Sequence, residues 1–342
     1  MTVSPTARLD GDVPVVVPGA PLYAPPPTPF LGNVTCNDIA WTSGCEWIFV
    51  ITAFAFWPYL TVIPVQPSTE PGRCATADPQ ITNMLHTYYG DRSIVEKHWA
   101  SLVEYQENLI SNATATAGSS KGLAVCDEFK DWLCGNHQSC CTGEPAGALC
   151  PVGHEMGGFS YVLGLRAMAQ MAAVLGNSTA AARYSKFANS ATRVFHETFY
   201  NPVLKQYGGD AGAVQSLTTP AIAIGAAPTP ALAASAAQTL QNDLAENNFT
   251  LRVGAVTSKI LLNVLSENGQ HETALRAATT TAEDSWGFWW ANNATTCYES
   301  WPIDLLASGA EPTPGTAPPG TIGIHPEGTL NHIFLCGGIG HW

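Results

Sequence analysis

The stretch GFSYVLGLRAMAQMAAVLGNSTAAARYSKFANSATRVF, residues 158–195, carries the spacing that decides the fold. Apolar residues recur every three or four positions on each side of a central break, which predicts two amphipathic helices. The first stripe consists of Tyr161, Leu165, Met168, Ala172 and Leu175, and the second of Tyr184, Phe187, Ala191, Val194 and Phe195. Gly176 and Asn177 supply the turn between them, so the segment predicts an αα-hairpin.

The same helical pattern extends to both sides of this hairpin. Asp91 is a typical N-cap for a helix whose apolar face holds Val95, Trp99, Leu102 and Leu109. Further helices are predicted over residues 229–246, 256–266 and 271–282, with Gly254 before the second of these and Gly269 after it. Strand signals are sparse, so the sequence predicts an all-α fold of successive helical hairpins. A ring of hairpins, the α/α toroid, is one natural closure, and periodicity alone fits a solenoid as well.

The charge balance limits the possible partners. Only 12% of the 342 residues are charged, and the formal net charge is -13. Nucleic-acid binding requires clustered Lys and Arg, whereas the 14 basic residues here are scattered. Nucleic acid is therefore not an expected partner, and a neutral ligand such as a sugar is compatible with this composition.

Cysteine usage points to an oxidising compartment. Five of the 10 cysteines crowd into one segment: Cys126, Cys134, Cys140, Cys141 and Cys150. Disulfides are favoured over zinc, because the spacing lacks a paired C-x-x-C signature. Five N-x-[ST] sequons agree with an extracellular protein, at Asn33, Asn112, Asn177, Asn248 and Asn293. No secretory signal follows Met1, so we expect the natural N-terminus to lie upstream.

An apolar run from Trp47 to Val65 has the length of a membrane span. Pro58 and Pro64 disfavour a continuous helix, and no basic residues flank the run closely. A buried or misplaced insertion is therefore favoured, and no membrane association is expected. A membrane-anchored structural protein is the alternative.

Aromatic residues surround one carboxylate in the segment DSWGFWWANNATTCYESW, residues 284–301. Aromatic faces stack on sugar rings, and Glu299 could activate a water molecule. The competing interpretation is that the tryptophans form core and that Glu299 is a surface charge, because large aromatic side chains usually lie in cores.

This segment resembles the Ser-Trp-Gly and Ala-Thr-Thr-x-x-Glu-x-Trp signature of the α-L-rhamnosidases of glycoside hydrolase family 78. Other segments resemble the family in the same order: residues 10–18 (DGDVPVVVP), 38–41 (DIAW), 78–82 (DPQIT), 89–92 (YGDR), 131–133 (DWL) and 330–334 (LNHIF). The resemblance implies an (α/α)6 toroid that hydrolyses terminal α-L-rhamnose with inversion, without a cofactor or a metal ion. A rhamnose-containing glycoside or polysaccharide would be the substrate.

The family's general base maps onto Glu299. By the same resemblance, Trp41, Trp132 and His332 would line the rhamnose subsite, with Asp38 and Asp131 nearby. Trp286 would support the wall beside Glu299. Core packing for Trp41 and a structural role for His332 remain alternatives.

The family's general acid lies in an Asp-Glu-Arg-x-Gly-Trp motif that this sequence lacks. Asp10 and Asp12 have neither the Trp nor the Arg of that motif around them, so neither is assigned the role. We therefore interpret residues 1–342 as a partial, incomplete six-hairpin catalytic domain, with an apolar insertion over residues 44–77. We expect this polypeptide to be inactive or nearly so, and a non-catalytic carbohydrate-binding relative is the alternative.

Overall fold

The computed structural model describes residues 77–116, 118–124, 131, 151–208, 214–292, 294–298, 301 and 334–342. Ten α-helices lie in these residues: α1 (Ala77–Tyr89), α2 (Arg92–Ala115), α3 (Pro151–Val174), α4 (Ser178–Phe199), α5 (Val214–Ala223), α6 (Pro230–Glu246), α7 (Leu261–Glu267), α8 (His271–Thr279), α9 (Trp286–Ala291) and α10 (Gly337–His341). One two-stranded antiparallel hairpin joins α4 to α5, with β1 at Tyr200–Asn201 and β2 at Gln206–Tyr207. Three short 3-10 helices cover Gly118–Ser120, Thr257–Lys259 and Phe334–Cys336. The all-α class is confirmed.

The chain divides into two compact units. Unit 1 comprises residues 1–114 and 160–188, and unit 2 comprises residues 115–159 and 189–342. No helix in the described parts of either unit combines the length and apolarity needed to cross a bilayer. The apolar run from Trp47 to Val65 lies outside the described residues.

In unit 1, the predicted stripes form the core. Val95, Leu102 and Leu109 of α2 are buried, as are Tyr161, Leu165, Met168 and Ala172 of α3. Glu107 of α2 accepts both guanidinium nitrogens of Arg183 and the hydroxyl of Tyr184, both on α4. This ion pair is more than a third exposed and therefore contributes little stability. Apolar burial on the predicted helix faces accounts for most of the packing.

The predicted caps and turns are present. Asp91 Oδ1 accepts the backbone N–H of Ser93 at 2.8 Å, which places the N-cap of α2 where the sequence predicts it. Thr229 caps α6 by accepting the N–H of Leu232. Gly176, with φ 75°, forms the turn between α3 and α4, and the predicted αα-hairpin is confirmed.

Helix bounds differ from the prediction where tertiary contacts intervene. The helix predicted to start at residue 158 begins at Pro151, because α3 continues through Gly157 and Gly158. The helix predicted over residues 256–266 is divided into the 3-10 turn at 257–259 and α7, where the Ile260 N–H bonds to the Thr257 carbonyl in the 3-10 pattern. The helix predicted to reach residue 282 ends at Thr279, because Thr280 is extended, with ψ 142°.

Candidate active site

Asp131 organises the start of two helical segments in unit 2. Its carboxylate accepts the hydroxyl of Ser216 in the first turn of α5 at 2.6 Å, and the N–H of Gly254 at 2.7 Å. The N–H groups of Val256 and Thr257, just before α7, donate to its other oxygen at 3.2 and 3.0 Å. Asp131 is 1% exposed. Its carboxylate therefore fixes the N-terminal ends of α5 and of the 257–267 segment beside each other.

Burial raises the pKa of Asp131, and the hydrogen bonds from Ser216, Gly254 and Thr257 oppose that rise. Both oxygens are occupied by protein donors. The side chain is therefore suited to fix the chain at residue 131, which directly precedes the predicted substrate residue Trp132 in the sequence. Trp132 itself lies outside the described residues.

Each residue of the Ser-Trp-Gly motif has a structural reason. The Ser285 hydroxyl caps α9 by accepting the N–H of Phe288, and it donates to the Thr280 carbonyl. The Trp286 indole, 1% exposed, donates to the carbonyl of Leu335 at 2.8 Å. A Cβ atom at Gly287 would lie 2.2 Å from the Thr280 carbonyl oxygen, so only glycine fits there.

Three tryptophans and a tyrosine form a buried aromatic cluster around the segment that contains Glu299. Trp301 stacks on Trp289 with ring centroids 4.9 Å apart and meets Trp286 edge-on at 5.6 Å. Tyr298 also contacts Trp289, with centroids 5.3 Å apart. Because Tyr298 and Trp301 are both buried, the residues on each side of Glu299 are anchored in the core. The core interpretation thus holds for these aromatic residues, while Glu299 lies outside the described residues.

A hydrogen bond and a disulfide connect this cluster to the other predicted segments. The Trp301 indole donates to the carbonyl of Val253 at 2.6 Å, next to Gly254, which binds Asp131. A disulfide joins Cys297 to Cys336 across 39 residues. Cys297 stands two positions before Glu299, and Cys336 stands four positions after His332.

Unit 2 therefore gathers the chain segments next to four predicted site residues: Trp132, Trp286, Glu299 and His332. Of the seven predicted residues, Asp131 and Trp286 are described, and both are buried in supporting positions. Asp38, Trp41, Trp132, Glu299 and His332 lie outside the described residues, and their roles stay predictions.

The predictions about disulfides and metal binding concern residues that the structure describes only in part. The crowded cysteines Cys126, Cys134, Cys140, Cys141 and Cys150 are outside the described residues. Among the residues that the structure does describe, no group of three or more His, Cys, Asp or Glu side chains could hold a metal ion.

The family model for the bacterial alpha-L-rhamnosidase six-hairpin glycosidase domain matches residues 57–342. The chain belongs to this family. The match covers Asp131, Trp132, Trp286, Glu299 and His332, and it begins after Asp38 and Trp41. The predicted (α/α)6 six-hairpin class is confirmed. The insertion at residues 44–77, and the inclusion of residues 1–56 in the domain, stay predictions.

Three solved α-L-rhamnosidases resemble the chain in structure. The enzyme of Aspergillus terreus is 17% identical with a TM-score of 0.60, and the match covers 78% of this chain and 28% of that enzyme. The Streptomyces avermitilis enzyme, solved with L-rhamnose, is 20% identical with a TM-score of 0.59 and coverages of 78% and 22%. The Dictyoglumus thermophilum enzyme is 21% identical with a TM-score of 0.61 and coverages of 80% and 28%.

These similarities establish the shared fold. The chain spans less than a third of the length of each of the three structures. No curated protein sequence matches the chain.

The resemblance drawn from the sequence missed two features of the site. The first is the Asp131 cradle, the set of donors from residues 216, 254, 256 and 257 that bind the Asp131 carboxylate. These donors stand 85 to 126 positions away in the chain. The second is Glu155, a buried carboxyl group in α3. A lone Glu in the Gly-rich stretch PVGHEMGG was the only available signal for it.

Proposed function

We propose that the chain provides the sugar-binding face and the general base of an inverting α-L-rhamnosidase. The observation that supports this most strongly is the cross-linking of unit 2. Trp286, Trp301 and the Cys297–Cys336 disulfide tie the chain on both sides of Glu299 to the chain after His332 and to the Asp131 cradle. Catalytic groups need such rigid support, because small displacements weaken catalysis steeply.

In the proposed reaction, Glu299 accepts a proton from a water molecule as the water attacks the anomeric carbon of terminal α-L-rhamnose. Inversion requires an acid on the opposite face of the ring, with the two carboxyl groups about 6.5–9.5 Å apart. The acid protonates the leaving oxygen as the glycosidic bond breaks. Trp132 and His332, with Trp41 and Asp38, would hold the sugar.

No residue of this sequence is assigned as the acid, because the Asp-Glu-Arg-x-Gly-Trp motif is absent from it. We expect the 342-residue polypeptide to bind L-rhamnose and to cleave ordinary rhamnosides at a very low rate. The substrate would be a rhamnose-containing glycoside or polysaccharide.

The proposed location is extracellular. The Cys297–Cys336 disulfide fits an oxidising compartment. Three sequon asparagines, Asn112, Asn177 and Asn248, are exposed and so are accessible to glycosylation.

The test uses two aryl rhamnosides with different leaving groups. A 2,4-dinitrophenolate leaves without protonation, so 2,4-dinitrophenyl α-L-rhamnoside needs only the base, whereas phenyl α-L-rhamnoside also needs the acid. We expect slow hydrolysis of the first substrate, with inversion seen by NMR, and almost none of the second. Glu299→Gln should remove the activity and keep L-rhamnose binding, measured by calorimetry.

The alternative is a carbohydrate-binding relative, which the missing acid motif favours. It predicts L-rhamnose binding in both the wild type and Glu299→Gln, with no turnover of either substrate. Hydrolysis of phenyl α-L-rhamnoside at a normal enzymatic rate would contradict the expected near-inactivity. Absence of L-rhamnose binding would contradict both candidate functions.

A further inference from the structure

Glu155 is a buried carboxyl group that has no partner among the residues that the structure describes. It is the fifth residue of α3 and is 0% exposed. Neither of its oxygens forms a hydrogen bond with a described residue. A buried carboxyl group in this state costs folding free energy, because the hydrogen bonds it makes with water in the unfolded chain are not replaced.

Glu155 lies near Tyr207, which contacts the second turn of α5. Glu155 is close enough to Tyr207 to contribute to the raised pKa of that phenol, although burial is the larger cause. Tyr207 belongs to β2, just before α5, and its N–H donates to the Thr218 hydroxyl in α5 at 3.4 Å.

Asp131 binds the same end of α5 through Ser216, two positions before Thr218. Glu155 and Asp131 therefore both lie near the N-terminal end of α5, within unit 2. Asp131 directly precedes Trp132, a predicted sugar contact.

The hydroxyl group of Tyr207 already has a hydrogen-bond partner. The Tyr207 hydroxyl lies 2.9 Å from His196 Nδ1, and the His196 ring packs against Tyr200 and Tyr207. Tyr207 thus satisfies its own hydrogen bond without Glu155. Within the described part of unit 2, both carboxyl oxygens of Glu155 are buried and have no hydrogen-bond partner.

The chemistry favours a neutral polyol as that ligand. Burial raises the pKa of Glu155 well above its usual value. A protonated carboxyl group donates one hydrogen bond and accepts others, which matches sugar hydroxyl groups that also do both. An anionic ligand would be repelled by the ionised form.

We propose that Glu155 is a sugar-binding residue that hydrogen-bonds hydroxyl groups of the rhamnose ring or of the adjoining sugar. This assignment rests on the proposed function, and it adds a contact that the sequence motifs do not contain. A site built for hydroxyl groups discriminates against sugars that lack them, because the buried polar group is then left unpaired. Glu155 would accordingly set specificity for the hydroxyl pattern.

The test measures L-rhamnose binding by calorimetry and thermal unfolding on the same samples. Glu155→Met keeps the length of the side chain and removes its hydrogen bonds. We expect this variant to have a higher Tm than the wild type and a Kd weakened at least about tenfold. Glu155→Gln keeps an acceptor and should bind with an intermediate Kd.

Gln106→Met is the matched control. Gln106 in α2 is also 0% exposed, and its amide atoms also have no partner among the described residues, but it belongs to unit 1. Its substitution should leave the Kd within about twofold of the wild type, because Gln106 is not part of the unit proposed to bind the sugar.

An unchanged Kd in Glu155→Met overturns the assignment of Glu155 and leaves the proposed function intact. If Glu155→Met fails to fold, an unchanged Kd in Glu155→Gln has the same meaning. Wild-type protein that binds no L-rhamnose overturns the proposed function, and the Glu155 assignment with it.

Discussion

Asp131 and Glu155 are two buried carboxyl groups of the same unit, and their surroundings are opposite. Asp131 receives one hydroxyl and three backbone N–H groups, from residues 216, 254, 256 and 257. Glu155 receives no hydrogen bond from any residue that the structure describes. Burial raises the pKa of both, and only at Asp131 do hydrogen bonds oppose the rise.

Asp131 stabilises the fold through its hydrogen bonds, whereas Glu155 is buried without a described hydrogen-bond partner. Removing Asp131 would leave several buried donors without an acceptor, so we expect it to lower the free energy of unfolding. Removing Glu155 would orphan nothing that the structure describes, so any cost should fall on ligand binding.

The largest effect is expected for Asp131→Ala. Three backbone N–H groups lose their acceptor, whereas the Ser216 hydroxyl keeps the Arg252 carbonyl as a partner. Each buried unsatisfied group costs about 1–3 kcal/mol, so the loss should exceed about 3 kcal/mol. Urea denaturation measures it. Glu283→Gln, an exposed change, is the control and should stay within about 0.5 kcal/mol. A loss below about 1 kcal/mol in Asp131→Ala would refute the structural role.

Breaking the Cys297–Cys336 disulfide should have the next largest effect. The bond closes a loop of 39 residues, and its loss in the Cys297→Ser/Cys336→Ser double variant should cost about 3 kcal/mol. Because the bond connects the chain beside Glu299 to the chain after His332, L-rhamnose binding should also weaken. Calorimetry under non-reducing conditions checks this. An unchanged Kd would show that the disulfide does not support the site.

Trp301→Phe tests the link between the aromatic cluster and the Asp131 cradle. The variant loses the indole hydrogen bond to the Val253 carbonyl and part of the stacking on Trp289, which should cost about 2 kcal/mol. Trp290→Phe is the matched control, since Trp290 is 63% exposed, and its thermal unfolding should be nearly unchanged. Equal effects in the two variants would contradict the account.

The smallest effect concerns the pH dependence that Glu155 contributes. Burial raises its pKa in the folded state, so the folded protein holds the proton more tightly than the unfolded chain. Stability is therefore lost as the pH rises above the unfolded value and towards the folded one. Glu155→Gln should remove this loss, so its Tm should exceed that of the wild type by more at pH 7 than at pH 4. The gain should be about 1 kcal/mol. A constant Tm difference across that range would place Glu155 in contact with water or with a donor.

The sequence predicts the helical framework well where apolar spacing is regular. The hairpin of α3 and α4, the Asp91 cap and the start of α6 at Thr229 follow from local rules. The sequence does not predict α1, whose segment ADPQITNMLHTYY lacks a clear apolar stripe, or the first two turns of α3, where glycines suggest a loop.

The site depends on contacts that no local pattern contains. The proposed role of Glu299 as the base rests on a resemblance in the motif around it. The anchoring of its flanks by Trp286 and Trp301 depends on carbonyl groups 49 and 48 positions away. The contrast between Asp131 and Glu155 depends on which donors the fold brings to each carboxyl group, and spacing along the chain does not show this.

The most direct test is a crystal structure of the Glu299→Gln variant with L-rhamnose. The account predicts the sugar in unit 2 near residue 299, with a ring hydroxyl within about 2.6–3.2 Å of a Glu155 oxygen and the Asp131 cradle unchanged. A sugar bound elsewhere, or bound near residue 299 with Glu155 out of contact, would contradict it.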